Sequence, residues 1–149
     1  MLFRSDPTKQ SDVLVQRAAH KILVVDDSPM QRNRIGAILD QAGYLFETAT
    51  DGHDALEKTR STEFSAFCVD IIMPLMDGYE FIERLRDREG YTDATVFMIT
   101  GKNIEQGAEK QRLVALQVDK VFEKPISASE FIAELDKKCL ITDASKGMQ

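Results

Sequence analysis

The strongest constraint on this chain is that its apolar runs stop at polar side chains. Residues 21–25 (Lys-Ile-Leu-Val-Val) run into Asp26-Asp27, residues 65–69 into Asp70, residues 94–99 into Thr100, and residues 118–122 lead to Lys124. Runs this short and rich in β-branched or aromatic residues read as strands covered on both faces. Asp70 is the sharpest case, because the apolar run resumes at Ile71 directly after it. A charge in such a place is costly unless it is paired, hydrogen-bonded or bound to a metal. Pro74 and Gly78 punctuate the segment that follows. The first restricts Met73, and the second tolerates backbone conformations that crowd other residues.

Between these runs the apolar spacing changes to that of helices. Ser28 can cap a helix with Pro29 at its first position, Ile35, Ile38, Leu39 and Ala42 supply its buried stripe, and Gly43 closes it. Arg32, Arg34 and Asp40 are expected to face solvent. Residues 44–49 form a shorter, more polar strand suited to a sheet edge, followed by a turn at Thr50-Asp51-Gly52 and a helix from Asp54 to about Thr62. Phe81, Ile82 and Leu85 mark a helix that ends at Gly90 and carries Glu83, Arg84, Arg86 and Arg88 on its outer face. A further helix is placed near residues 104–117, interrupted by Gly107. Ser127 and Glu130 form a capping box for the last helix, with Ala128, Phe131, Ile132 and Leu135 inward. Five strands alternate with five helices, which predicts a parallel sheet sandwiched between helices.

A chain of 149 residues suffices for one domain with a hydrophobic core and short extensions. The expected division is an N-terminal extension over 1–20 with one ordered turn, a domain over 21–138, and a tail over 139–149. With 43% hydrophobic and 30% charged residues, neither disorder nor a membrane class is favoured. No apolar run approaches the roughly 20 residues of a spanning helix, so no membrane insertion is expected. The net charge of −6 argues against bulk binding to nucleic acid. The start lacks a signal-peptide apolar region, and Cys68 and Cys139 have neither disulfide nor metal spacing. These features fit a cytoplasmic protein whose cysteines serve packing.

In a parallel sheet the C-terminal strand ends share one edge, so Asp26, Asp27, Asp70, Thr100 and Lys124 can converge despite their separation. Three carboxylates repel one another unless a cation intervenes, and Mg²⁺ prefers such oxygen ligands, with Mn²⁺ as a substitute. Lys124 offers positive charge to an incoming anion and Thr100 a hydroxyl donor. That set suits phosphoryl transfer onto Asp70 as an aspartyl-phosphate. A single aspartate at a strand end is usually a cap, a turn former or a solvated residue, and Asp77 fits that simpler role. The ordered set Asp-Asp, Asp-x-x-x-Pro-x-x-Asp-Gly, Thr-Gly and Lys-Pro is much harder to explain as separate structural accidents.

On these motifs the sequence resembles the receiver domain of two-component response regulators, over about residues 21–138. The resemblance implies a flavodoxin-like doubly wound α/β fold with strand order 2-1-3-4-5, the first and last of the five helices sharing one face. It implies that Asp70 is the phosphoacceptor, that Asp27 holds Mg²⁺ directly and Asp26 through water, and that Ile72 lends the ion its backbone carbonyl. Thr100 and Lys124 match the residues that contact the phosphoryl group. Implied partners are a sensor histidine kinase or histidine phosphotransfer protein, with small donors such as acetyl phosphate as substitutes, and a downstream protein target. Two positions depart from the pattern. Val121 stands where an aromatic residue is common, and Gly101 where a small residue such as alanine is expected. Phe122 has the opposite strand parity and is expected in the core. The competing reading is a receiver-like docking module that works without phosphorylation. A hydrolase of small phosphoesters is disfavoured by the lack of an Asp-x-Asp pair at Asp70, and nucleotide binding by the absence of a glycine-rich phosphate loop.

Overall fold

The computed structural model describes residues 10–101 and 108–140. Its elements, in chain order, are α1 Gln10–Arg17, β1 Lys21–Val25, α2 Pro29–Ala42, β2 Leu45–Ala49, α3 Gly52–Ser61, β3 Ala66–Asp70, α4 Gly78–Arg86, β4 Thr95–Thr100, α5 Ala108–Ala115, β5 Lys120–Glu123 and α6 Ala128–Cys139. The five strands are parallel and ordered β2-β1-β3-β4-β5, as expected from the resemblance, with the polar β2 on an edge.

Strand parity divides the core into two layers. Leu23, Val25, Phe67, Val69, Val96 and Met98 project towards α3, α4 and α5, where they meet Leu56, Phe81, Ile82, Leu85 and Leu113. Ile22, Val24, Cys68, Phe97 and Ile99 project the other way, onto Ile35 and Leu39 of α2 and Phe131 and Leu135 of α6. Edge-on contacts among Phe97, Phe122 and Phe131, with centroids 5.4 to 6.1 Å apart, fill the second layer. Phe122 is therefore a core residue, and Ile38 packs partly buried against the same layer.

The caps follow the local sequence. Ser28, Asp51, Asp77 and Ser127 each accept from the backbone N–H three residues on, starting α2, α3, α4 and α6. Gly43 closes α2 at φ 94°, in the left-handed region that glycine enters without steric penalty.

Several expectations need correction. Residues 10–20 hold more than the single turn expected there, because α1 makes a sixth helix among the described residues. Eight residues without a persistent apolar period would not hold a helix alone. Tertiary contacts hold it: Arg17 forms a two-pronged pair with Asp136 of α6, at 2.7 and 3.0 Å, and donates to the Ala42 carbonyl at 2.9 Å. The Tyr44 hydroxyl donates to the same carboxylate at 2.6 Å. Helix α4 ends at Arg86 rather than Gly90, and Gly90, at φ 91°, turns the chain afterwards. Strand β5 begins at Lys120, since the Asp119 carboxylate accepts the Val96 N–H at 2.8 Å in a strand neighbour's place. Three arginines assigned to solvent instead reach backbone carbonyls: Arg32 that of Asp26, Arg34 that of Ile126, and Arg86 those of Tyr91, Ala94, Leu116 and Gln117. The predicted helix over 104–117 corresponds to α5 over Ala108–Ala115, and its first residues, 104–107, lie outside the described residues.

Candidate functional site

The sheet brings the separated motifs together. Val25 pairs with Val69 across β1 and β3, so Asp26 and Asp70 leave the same edge side by side. Asp70 pairs with Ile99, the residue before Thr100, and Thr100 pairs with Glu123, the residue before Lys124. The Lys124 N–H donates to the Thr100 carbonyl at 2.8 Å, fixing these two positions to each other. All four strand ends named from the sequence thus meet at one edge.

Oxygens of Asp26, Asp27 and Asp70 lie within 4.8 Å of one another. Asp26 is fully buried, Asp70 is 6% exposed and Asp27 is open to solvent. The Ser28 N–H donates to Asp26 Oδ1 at 2.9 Å, whereas Asp26 Oδ2 is buried with no hydrogen-bond donor. Lys124 Nζ stands 3.5 Å from Asp70 Oδ1 and 3.9 Å from Asp26 Oδ2. Thr100 is 2% exposed beside them. The backbone N–H of Ile72 donates to Asp70, and the Ile72 side chain is turned to solvent.

One ammonium group does not balance this acidity. Burial first, and then the Asp26 charge, push the Asp70 carboxyl up to about 6, against the opposing pull of Lys124 and the Ile72 N–H. Asp26 is also raised, mainly by burial, with the Asp27 charge adding to it and the Ser28 N–H and Lys124 opposing. An orphaned buried oxygen among three clustered carboxylates is what a hard divalent cation would satisfy, so the donor set fits Mg²⁺.

Two supporting residues were not recognised from the sequence in these roles. Gly78 has no positive φ; its importance is space, because a Cβ there would stand 2.4 Å from the Asp70 carbonyl oxygen and 2.9 Å from Ile71 Cα. Glycine lets the start of α4 close against the strand that ends in Asp70, with the Gly78 N–H donating to the Ile71 carbonyl at 2.8 Å. Arg32 braces the other side, donating to the Asp26 carbonyl at 2.7 Å. Asp77 is the N-cap of α4, the simpler role expected of it. A cleft of about 680 Å³ lined by Lys21, Phe64, Ser65 and Tyr91 lies at the opposite edge of the sheet, away from the carboxylates.

Comparison with known proteins agrees with this geometry. Residues 22–136 match the response regulator receiver domain family. The chain is 31% identical over 115 residues to protein PilG of Pseudomonas aeruginosa, covering 77% of this chain and 84% of that one. It is 36% identical over 106 residues to the sensor histidine kinase RcsC of Escherichia coli, covering 71% of this chain but only 11% of the kinase. Among solved structures, chemotaxis protein CheY4 of Vibrio cholerae superposes with a TM-score of 0.74 at 31% identity, over 80% of this chain and 98% of that one. TrrA of Thermotoga maritima, a response regulator solved with Mg²⁺ and BeF, gives 0.69 at 28% identity over 79% and 97% of the two chains. No helix among the described residues is long and apolar enough to cross a membrane. The chain therefore belongs to the receiver domains of two-component signal-transduction response regulators.

Proposed function

We propose that this receiver takes a phosphoryl group from a phosphohistidine onto Asp70 and signals through protein contacts or by passing the group on. The observation that carries the reading is the buried carboxylate cluster, with Asp26 Oδ2 orphaned and Lys124 Nζ 3.5 Å from Asp70. Asp26, Asp27, Asp70 and the Ile72 backbone carbonyl would hold Mg²⁺, or Mn²⁺ in its place. The ion would supply charge neutralisation for phosphoryl oxygens.

The chain's own groups do the rest. An Asp70 carboxylate oxygen attacks phosphorus in line; the new O–P bond forms as the P–N bond to the donor histidine breaks, and the imidazole leaves with the bonding electron pair and takes up a proton. Lys124, already placed at this carboxylate, balances negative charge on the transferring group. Thr100 contributes a hydroxyl donor from the adjacent strand end. Water later hydrolyses the acyl phosphate.

We assign this work to a receiver unit over residues 21–138, with residues 1–20 before it and 139–149 after it. A histidine kinase or histidine phosphotransfer protein is the expected donor and a downstream protein the expected target, in a cytoplasmic setting. The test is labelling by a phosphorylated kinase or by acetyl phosphate with Mg²⁺. Asp70→Asn should abolish incorporation while leaving the fold intact. Equal incorporation at the same site in that variant refutes the assignment. A wild-type chain that takes up no phosphoryl group under these conditions supports the docking module instead.

A further inference from the structure

The two edges of the sheet carry opposite fields. Each helix that joins two parallel strands runs back against them, so helix C-termini, with their unmet carbonyls and partial negative charge, gather where the strands begin. The cleft of about 680 Å³ lies at that edge. Its lining includes the last turn of α3, Thr59 to Ser61, the loop from there to β3, and residues 89–91, which follow the end of α4 at Arg86. Of the carbonyls of Lys58, Thr59, Arg60 and Ser61, only that of Lys58 meets a backbone N–H among the described residues, from Thr62.

The side chains around the cleft add charge of the same sign. Lys21 pairs with Glu47 at 3.0 Å, Arg60 with Glu57 at 3.8 Å, and Arg88 donates to the Thr59 hydroxyl at 3.0 Å. Glu63 and Glu89, both exposed in the lining, have no ion pair among the described residues, so these three cations are set against four carboxylates. The floor is apolar. Phe64 and Tyr91 stand edge-on to Phe67, with centroids 5.8 and 5.4 Å away, and the Tyr91 hydroxyl is engaged by the Phe64 N–H and the Thr62 carbonyl. Leu45, half exposed, adds an apolar wall. The Ser65 hydroxyl is tied to His20 Nδ1 at 2.8 Å.

We propose that this cleft binds a linear aliphatic polyamine, its ammonium groups held by Glu63, Glu89 and the open carbonyls of α3, its methylene chain laid along Leu45, Phe64 and Tyr91. The inference does not depend on the role of Asp70. Unpaired carboxylates on two separate segments call for more than one positive centre, and the apolar floor between polar walls calls for a carbon chain joining them. The volume is that of a small-molecule site. A metal ion suits it poorly: among the described residues the three carboxylates close enough to share one are Asp26, Asp27 and Asp70, at the other edge. A phosphorylated or carboxylated ligand would meet helix ends and glutamates of its own sign.

The test is a titration of the full chain with spermidine, followed by amide chemical shifts, with Mg²⁺ in excess to keep the amine from Asp26 and Asp70. The shifts should centre on Leu45, Phe64, Ser65, Gly90 and Tyr91 and saturate with a Kd below about 1 mM. The double variant Glu63→Gln, Glu89→Gln changes two exposed side chains and should keep the fold, while the Kd rises by about fivefold or more. Hexanediol, which has the carbon chain without the charge, and sodium chloride at matched ionic strength should not reproduce the shifts. Four results overturn the inference: no saturable shift with spermidine up to about 10 mM, shifts centred on Asp26 and Asp70, a Kd unchanged in the double variant, or the same shifts from hexanediol or sodium chloride.

Discussion

Replacing Asp70 by asparagine should make the metal-free protein more stable at neutral pH. The carboxyl is 6% exposed, and its pKa stands at about 6 against an ordinary 3.8. A group that binds its proton more tightly in the folded than in the unfolded chain opposes folding whenever it is ionised. The penalty is fully present above about pH 6, shrinks as the pH falls towards 4, and vanishes below the unfolded value. About two pH units at about 1.4 kcal/mol each gives roughly 3 kcal/mol near pH 8, falling to about 1 kcal/mol near pH 4.5. Asparagine is nearly isosteric with the protonated acid, so Asp70→Asn should gain about 2 to 3 kcal/mol at the higher pH and progressively less on acidification. Urea denaturation of both proteins in EDTA at a series of pH values measures the difference directly. Saturating Mg²⁺ should narrow or reverse it, since ligand at a hundred times its Kd stabilises the protein that binds it by about 2.7 kcal/mol. A variant less stable than wild type near pH 8, or an advantage that does not shrink with acidification, would mean that the ionised Asp70 carboxylate does not oppose folding.

Further outcomes test how the site is built and braced. Gly78→Ala should lose about 2 kcal/mol or more and weaken Mg²⁺ binding, because the contacts at 2.4 and 2.9 Å are to the backbone of Asp70 and Ile71; parallel urea and Mg²⁺ titrations check this. Arg86→Ala should cost about 2 kcal/mol and quicken amide exchange in α5, since the guanidinium holds the carbonyls of Leu116, Gln117 and Ala94 at 3.1, 2.9 and 2.6 Å. Arg17→Ala should free α1, seen as faster amide exchange over Gln10–Arg17, with no change in labelling of Asp70; slowed labelling would mean that α1 supports the site.

The sheet and the convergence of Asp26, Asp70, Thr100 and Lys124 at one of its edges were legible because the strands are written in local pattern. Buried parallel strands require unbroken apolar runs, so a charge ending one, as at Asp26 or Asp70, stands out against its neighbours. What escaped depends on atoms distant in sequence. Helix α1 has no apolar period of its own and is held through Arg17 to Asp136, 119 residues away. Arg32, Arg34 and Arg86 carry the polar composition of an exposed face, yet their length lets them reach carbonyls that folding presents. At Gly78 the sequence marks a glycine, whereas its reason is the approach of a particular carbonyl oxygen and not a turn. Leu75 looks like any loop leucine until its backbone conformation and exposure are known.

Under the proposed function Asp70 receives the phosphoryl group with help from a divalent cation held by the carboxylate cluster. Its most direct test is to incubate the protein with acetyl phosphate and Mg²⁺ and to locate the added mass by peptide mapping. A single base-labile phosphoryl group is expected on the peptide bearing Asp70, lost in Asp70→Asn and prevented by EDTA. A label on another residue, or one that forms equally well without a divalent cation, would contradict it.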